Sequence, residues 1–168
     1  PNHSIDDKLS SIELTNDEKK EFVTSLDGDI YNLTGIRRNY VILRLNEFVS
    51  DGVSRFDFEP NMLTIEHVLP QTVSPESEWN KLWHDAAIRE QWLNRIANLV
   101  PLIRKKNSAA QNYDFDKKKD IYFKGKNGTT TYPLTTQVLS EKEWTPDKVK
   151  KRQTNLINIF KEGWELQY

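Results

Sequence analysis

The 168-residue sequence contains no cysteine. That excludes disulfides, thiol nucleophiles and any zinc site built with sulfur, and it fits a cytoplasmic protein. Long apolar runs are also missing, and nothing approaches the roughly 18 consecutive apolar residues of a membrane span. The first fourteen residues are polar and acidic, so they do not form a signal peptide. There is no initiator Met at position 1, which suggests either a fragment of a longer protein or removal of the Met by processing. No internal repeat or low-complexity tract interrupts the chain. Net charge is nearly absent as well, at −1.

What is present offsets a low hydrophobic fraction of 36% and a mean hydropathy of −0.74. Five Trp, six Tyr and seven Phe supply large surfaces to bury, so the chain is expected to fold around one core. The near-zero charge conceals an asymmetry. Residues 1–27 carry seven acids against three lysines, a net of −4, whereas residues 104–126 carry eight basic residues against three acids, a net of +5. The basic stretch is either a solvated lysine face or an electrostatic footprint for phosphates.

Local signals divide the chain. Residues 1–14 form a linker-like tail. Thr15-Asn16-Asp17-Glu18 has the form of a capping box, followed by Phe22, Val23 and Leu26 on one face and a stop at Gly28. Thr34-Gly35 opens a second helix to about Val49, with Ile36, Tyr40 and Leu43 in its apolar stripe beside Val41, Leu45 and Phe48, ended by Asp51-Gly52. Neither helix shows chemistry. Met62 to Val68 reads as a buried strand, and Pro70 turns the backbone just after His67. Trp79, Trp83, Ile88, Trp92, Leu93 and Ile96 mark one or two helices. Asn98 to Ile103 is a second strand, at an edge or bent because of Pro101, and Arg104 to Gln111 forms a short helix. Tyr113 to Phe123 is a basic helix anchored by Phe115, Ile121 and Tyr122, followed by a loop at Lys124–Gly128. Thr145-Pro146 caps a final helix with Val149, Leu156, Ile159, Phe160 and Trp164 on one face. The Trp residues are core. His84 caps or packs a helix, and His3 has no role.

The chain is organised around Thr64-Ile65-Glu66-His67-Val68-Leu69-Pro70-Gln71, a strand that ends on a carboxylate and an imidazole. Asn98 follows His67 by 31 residues, and Asn107 follows Asn98 by nine. This order and spacing resembles an HNH-type nuclease site. Phosphodiester hydrolysis needs an activated water and stabilisation of charge on the phosphate and the departing oxygen. An imidazole with an ordinary pKa of ~6.5 suits the water. One hard divalent ion, Mg²⁺ or Mn²⁺, suits Glu66 and an Asn107 carbonyl oxygen. Neighbouring strand residues face opposite ways, so Glu66 and His67 converge only if the backbone twists or turns there.

Ile65–Gln71, Ile96–Leu102, Asn107-Ser108 with Tyr113-Asp114-Phe115 and Lys117-Lys118, and the Trp144…Arg152…Trp164 ending together resemble the C-terminal HNH domain of GmrSD-type restriction endonucleases, over roughly residues 55–165. The resemblance implies an α+β fold, a mostly helical domain around a small ββα-metal core. It divides the chain into a tail (1–14) and one nuclease domain (15–168), itself a helical part (15–58) and a core with C-terminal helices (59–168). It implies a metal-dependent DNA endonuclease of bacterial defence against phage, normally fused to an N-terminal NTPase-like or DNA-sensing domain. His67 is then the general base and Glu66 a metal ligand. Asn98 fixes the loop bearing the base, and Asn107 is the second ligand. The common family version has Gly-Asn-Leu where this chain has Ala97-Asn98-Leu99. Gln111 stands where many HNH enzymes place a further His, which points away from tight zinc or nickel binding and toward magnesium. Gln111 and Asn112 support the site, and Arg104, Lys105, Lys106, Lys117, Lys118 and Lys119 hold the DNA backbone. The alternative is a non-catalytic nucleic-acid or partner-binding module with a degenerate site. RNA is a third and weaker possibility as substrate.

Overall fold

The structure is a computed structural model that describes residues 13–50, 63–103, 112–124 and 132–168, the Tyr122 side chain excepted. Among these residues are seven α-helices and one two-stranded sheet, an α+β architecture with helix predominating.

The first helix, α1 (Asn16–Leu26), starts where its capping box dictates. The Thr15 side chain accepts from the Glu18 backbone N–H, and the Glu18 carboxylate accepts from the Thr15 N–H at 2.8 Å. A short 3₁₀ turn at Ile30–Asn32 leads to α2 (Gly35–Val49). The apolar stripe of α2 is rotated from the one expected. Val41, Ile42, Leu45 and Asn46 are buried, whereas Ile36 is 86% exposed and Tyr40 57%. The sequence offers two adjacent apolar rows; the 41–42–45 row is the buried one, while Tyr40 on the other row stacks on Trp164 from the exposed side. Asp51-Gly52 lies outside the described residues.

Strands β1 (Leu63–His67) and β2 (Leu99–Ile103) pair antiparallel, with Ile65 opposite Pro101 and His67 opposite Leu99. The carbonyl of Pro101 accepts from Thr135 Oγ1 at 2.8 Å. It therefore points away from β1, and because N–H and C=O of one residue share a side in antiparallel pairing, the missing proline N–H costs the ladder nothing. The ribbon separates two cores. Leu63, Ile65 and Leu99 face one with Ile42, Leu45 and Phe160. Val100 and Leu102 face the other with Trp79, Trp83 and Trp144.

Between the strands run α3 (Glu78–Leu82), capped by Ser77, and α4 (Ala86–Leu93), capped by Asp85. His84, expected to cap or pack, is exposed between them. Trp79, Trp83 and Trp144 are fully buried, as expected of core. The indole N–H groups of Trp79 and Trp83 donate to the Tyr113 and Trp144 carbonyls at 2.8 and 2.6 Å. The basic segment is not one regular helix. After α5 (Phe115–Lys118) it widens into a π turn at Lys119–Phe123. The wider turn shifts the helical phase, so Phe123 is buried while the expected anchor Ile121 is 46% exposed. The segments that hold Arg104 to Gln111 and most of the Lys124–Gly128 loop lie outside the described residues.

Helix α6 (Pro133–Leu139) then leads to α7 (Pro146–Gly163), whose N-cap Thr145 accepts from the Lys148 N–H. Val149, Gln153, Leu156, Ile157 and Phe160 form the buried face of α7. Its last residue is packed tightly, because a Cβ at Gly163 would meet the Phe48 ring at 2.7–2.8 Å. Gly163→Ala is expected to cost about 1–3 kcal/mol through overpacking, read as a lower urea midpoint with an unchanged m-value. A neutral result would mean that the Phe48 ring moves aside freely. Among the described residues no helix is long and apolar enough to cross a membrane.

Candidate active site

The strand β1 alternates regularly to its end, so Glu66 and His67 leave opposite faces of the ribbon. They nevertheless line one cavity of about 250 Å³, together with Tyr31, Ile65, Pro70, Gln71, Asn112 and Lys118. The chain turns immediately after His67, and Asn98 holds the turn. Its side chain uses its full bonding capacity. Oδ1 accepts from the Leu69 N–H at 2.7 Å and the Trp144 indole N–H at 3.2 Å. Nδ2 donates to the carbonyls of Leu69 at 3.1 Å and Leu93 at 2.9 Å. The Asn98 carbonyl adds a bond from the Val68 N–H at 2.9 Å. Asn98 is fully buried and does not line the cavity, so it acts on the backbone that bears His67. Asn98 is held in turn through its neighbour, since the Ala97 N–H donates to Gln153 at 2.9 Å.

His67 is 4% exposed. Its Nε2 lies 3.2 Å from Asn94 Oδ1. With Nε2–H donating to that oxygen, the neutral ring keeps its lone pair on Nδ1. The Tyr31 ring packs at 4.1 Å between centroids. Tyr31 is fixed by its N–H to the Asn94 carbonyl at 3.0 Å and by Arg38, which donates to the Tyr31 carbonyl at 2.9 Å. Burial pushes the His67 pKa down to about 4, which the Asn94 bond opposes and the charges of Lys118 and Arg38 reinforce. The imidazole is therefore neutral at pH 7.

This shift has a consequence for stability. Between pH about 6.5 and about 4, His67 takes up a proton in the unfolded chain but not in the folded one. Stability is thus lost as pH falls through that window, by up to about 3 kcal/mol from this group, one pKa unit being worth about 1.4 kcal/mol. His67→Gln is expected to lose less stability than the wild type between pH 7 and pH 4.5 in urea titrations. Equal losses would show that His67 titrates normally.

On the other face the Glu66 carboxylate bonds Lys118 Nζ at 3.1 Å, and the same ammonium donates to the His67 carbonyl at 2.7 Å. Lys118 is 1% exposed. Burial pushes the Glu66 carboxyl up and the Lys118 ammonium down, while each partner's charge pulls the other back toward the ion pair.

Of the residues expected to build this site, His67, Glu66 and Asn112 line the cavity, and Asn98 supports it from behind. Asn107 and Gln111 lie outside the described residues, as do Arg104, Lys105 and Lys106. Of the other residues expected along a DNA backbone, Lys117 is exposed, with its ammonium 3.6 Å from the Tyr113 ring centroid. Lys119 is tied to Asp116 at 2.8 Å. Lys118 is placed differently from the expectation, since its ammonium points inward and does not reach solvent. One signal anticipated this, because Lys118 stands three residues after Phe115 and shares its helix face. Tyr31, Arg38 and Asn94 were not anticipated. They come from helices and turns expected only to pack, and only chain closure brings them to His67.

Among the described residues no group of three or more His, Cys, Asp and Glu could hold a metal ion. The oxygen donors that line the cavity, the Glu66 carboxylate and the amides of Gln71 and Asn112, suit a hard cation such as Mg²⁺ or Mn²⁺ better than zinc. The model of the family described as GmrSD restriction endonucleases, C-terminal domain, matches residues 15–159. No curated protein matches the chain.

Proposed function

The chain belongs to the family of GmrSD restriction endonuclease C-terminal domains, which implies a nuclease of a restriction system acting on DNA, and from that premise we propose a metal-dependent HNH endonuclease that nicks or cuts phosphodiester bonds. The observation that carries this reading is His67. Its imidazole is neutral, oriented by Asn94, and shares a polar cavity with Glu66, the only carboxylate among the described lining residues. His67 Nδ1 takes the proton of the attacking water. Asn98 keeps the ring in place by pinning residues 68–69. Glu66, with Asn107, would hold a Mg²⁺ or Mn²⁺ ion, which when bound neutralises charge on the phosphate and the departing oxygen. A phosphate anion beside His67 offsets its desolvation and raises its basicity. Lys117 and the basic residues 104–106 hold the backbone. Residues 15–168 form the effector, and sensing of phage DNA belongs to an N-terminal NTPase-like or DNA-sensing part of the full-length protein.

Incubation of supercoiled plasmid with the protein tests the proposal. Open-circle or linear product is expected with Mg²⁺ or Mn²⁺ and none with EDTA. Salt-sensitive DNA binding without cleavage under any divalent ion would overturn it in favour of a nucleic-acid-binding module. One observation favours that second reading, namely that a lysine ammonium already bonds Glu66.

A further inference from the structure

The Lys118 ammonium is the most deeply buried charge at the site, and its two bonds go to the residues on which the proposed chemistry rests: the Glu66 carboxylate and the His67 carbonyl. A buried amine is stable only when paired, and this pairing also ties α5 to the end of β1. We propose that Lys118 is a resident cation at Glu66 that opposes a divalent ion there until a phosphate arrives, so that ion and DNA bind as a coupled pair. This inference rests on the nuclease reading of the site.

The coupling is electrostatic. An ion that shares the Glu66 carboxylate with Lys118 places three positive charges around one negative charge, in a pocket where burial weakens screening. Without DNA the ion is therefore held weakly. A phosphodiester in the cavity adds the missing negative charge and reverses the balance. Coupling of this kind is reciprocal, so the ion must tighten DNA binding by the same factor. Lys118 is thus a positioning residue: it holds Glu66 and the His67 backbone in place while the site is empty of substrate, and it limits ion loading to the DNA-bound state.

Calorimetric titration with Mn²⁺ tests this, with all proteins in the His67→Ala background so that a short DNA duplex is not cut. The parent protein is expected to bind Mn²⁺ about tenfold or more tightly with duplex than without. Lys118→Met keeps the stem and removes the charge. It is expected to bind Mn²⁺ about tenfold more tightly than the parent without DNA, and to lose most of the gain from duplex. Lys118→Met also removes a buried partner, so Lys118→Arg serves as a second variant that keeps the charge. It should retain both the weak DNA-free affinity and the coupling. Equal Mn²⁺ affinity with and without duplex, or no tightening in a folded Lys118→Met, would overturn the inference. Glu66→Gln separates this from failure of the metal assignment itself: if it leaves Mn²⁺ binding unchanged, the ion is not at Glu66.

Discussion

Replacing His67 by Ala is expected to lower plasmid cleavage at least about 10²-fold, the usual contribution of a positioned general base, with the protein still folded. The size of the loss follows from the geometry. Glu66 is held by Lys118, and Tyr31, Gln71 and Asn112 contribute no basic group, so no other described side chain in the cavity can accept the water's proton at neutral pH. The structural cost is smaller. The substitution removes a ring that contacts Tyr31 and Asn94 but leaves the Asn98 bonds to residues 68 and 69 in place. A melting temperature a few degrees lower is expected, which corresponds to about 1–2 kcal/mol. Two further measurements separate a lost base from a damaged fold. Added imidazole should restore part of the rate to His67→Ala and none to Glu66→Gln. In the wild type, the acid limb of kcat/KM reports the free enzyme, so it should lie near the depressed value of about 4 and not at 6.5. Unchanged cleavage by pure His67→Ala would remove His67 from the mechanism.

The parts of the fold that were legible in the sequence are those fixed by neighbours in the chain. The Thr15–Glu18 box, the Thr34-Gly35 opening and Thr145-Pro146 each set a helix start through bonds or dihedral preferences within four residues. β-branched and apolar content likewise placed the strand, expected over Met62 to Val68 and observed over Leu63–His67, and Pro70 placed the turn after His67. Facing was harder to read. Ile36 and Tyr40 are as apolar as Val41 and Leu45, and only the arrival of α6, α7 and β2 decides which row is covered. The π turn moved the anchor from Ile121 to Phe123 because period-based reasoning assumes 3.6 residues per turn. At the site, Glu66, His67 and Asn98 stood out because two asparagines followed at a telling interval. Asn94, Tyr31 and Arg38 carried no such mark, since a shell that orients a ring is assembled by tertiary contact alone. The inward placement of Lys118 was not legible for a related reason. In a run of three lysines the solvated placement is the common one, and only the packing of the helix face that Lys118 shares with Phe115 turns this one inward.

Asn98→Ala is expected to be the most destabilising single change at the site, by about 3–5 kcal/mol. The deletion strands four buried partners at once: the Leu69 N–H, the Leu69 and Leu93 carbonyls, and the Trp144 indole N–H. Each buried group left without a partner costs roughly 1–3 kcal/mol. Water entering the small gap could satisfy one or two of the four, so the sum lies below four full penalties. Asn98→Asp tests the donor half of this account. It keeps both acceptor bonds at nearly the same volume but offers no hydrogen to the two carbonyls, and it places a carboxylate against them. A loss comparable to that of Asn98→Ala is expected, measured from urea midpoints, although Asp is the closer isostere. The effect on cleavage should exceed what unfolding explains. In the fraction that remains folded, Leu69 has lost both of its bonds to the Asn98 side chain and only the Val68 N–H stays bonded to the residue-98 carbonyl, and a shift of about 1 Å in a catalytic group can cost on the order of 10²-fold in rate. If Asn98→Ala melts within about 1 kcal/mol of the wild type and still cleaves, the turn after His67 is held by something other than Asn98. The position of the base would then be set by the strand itself.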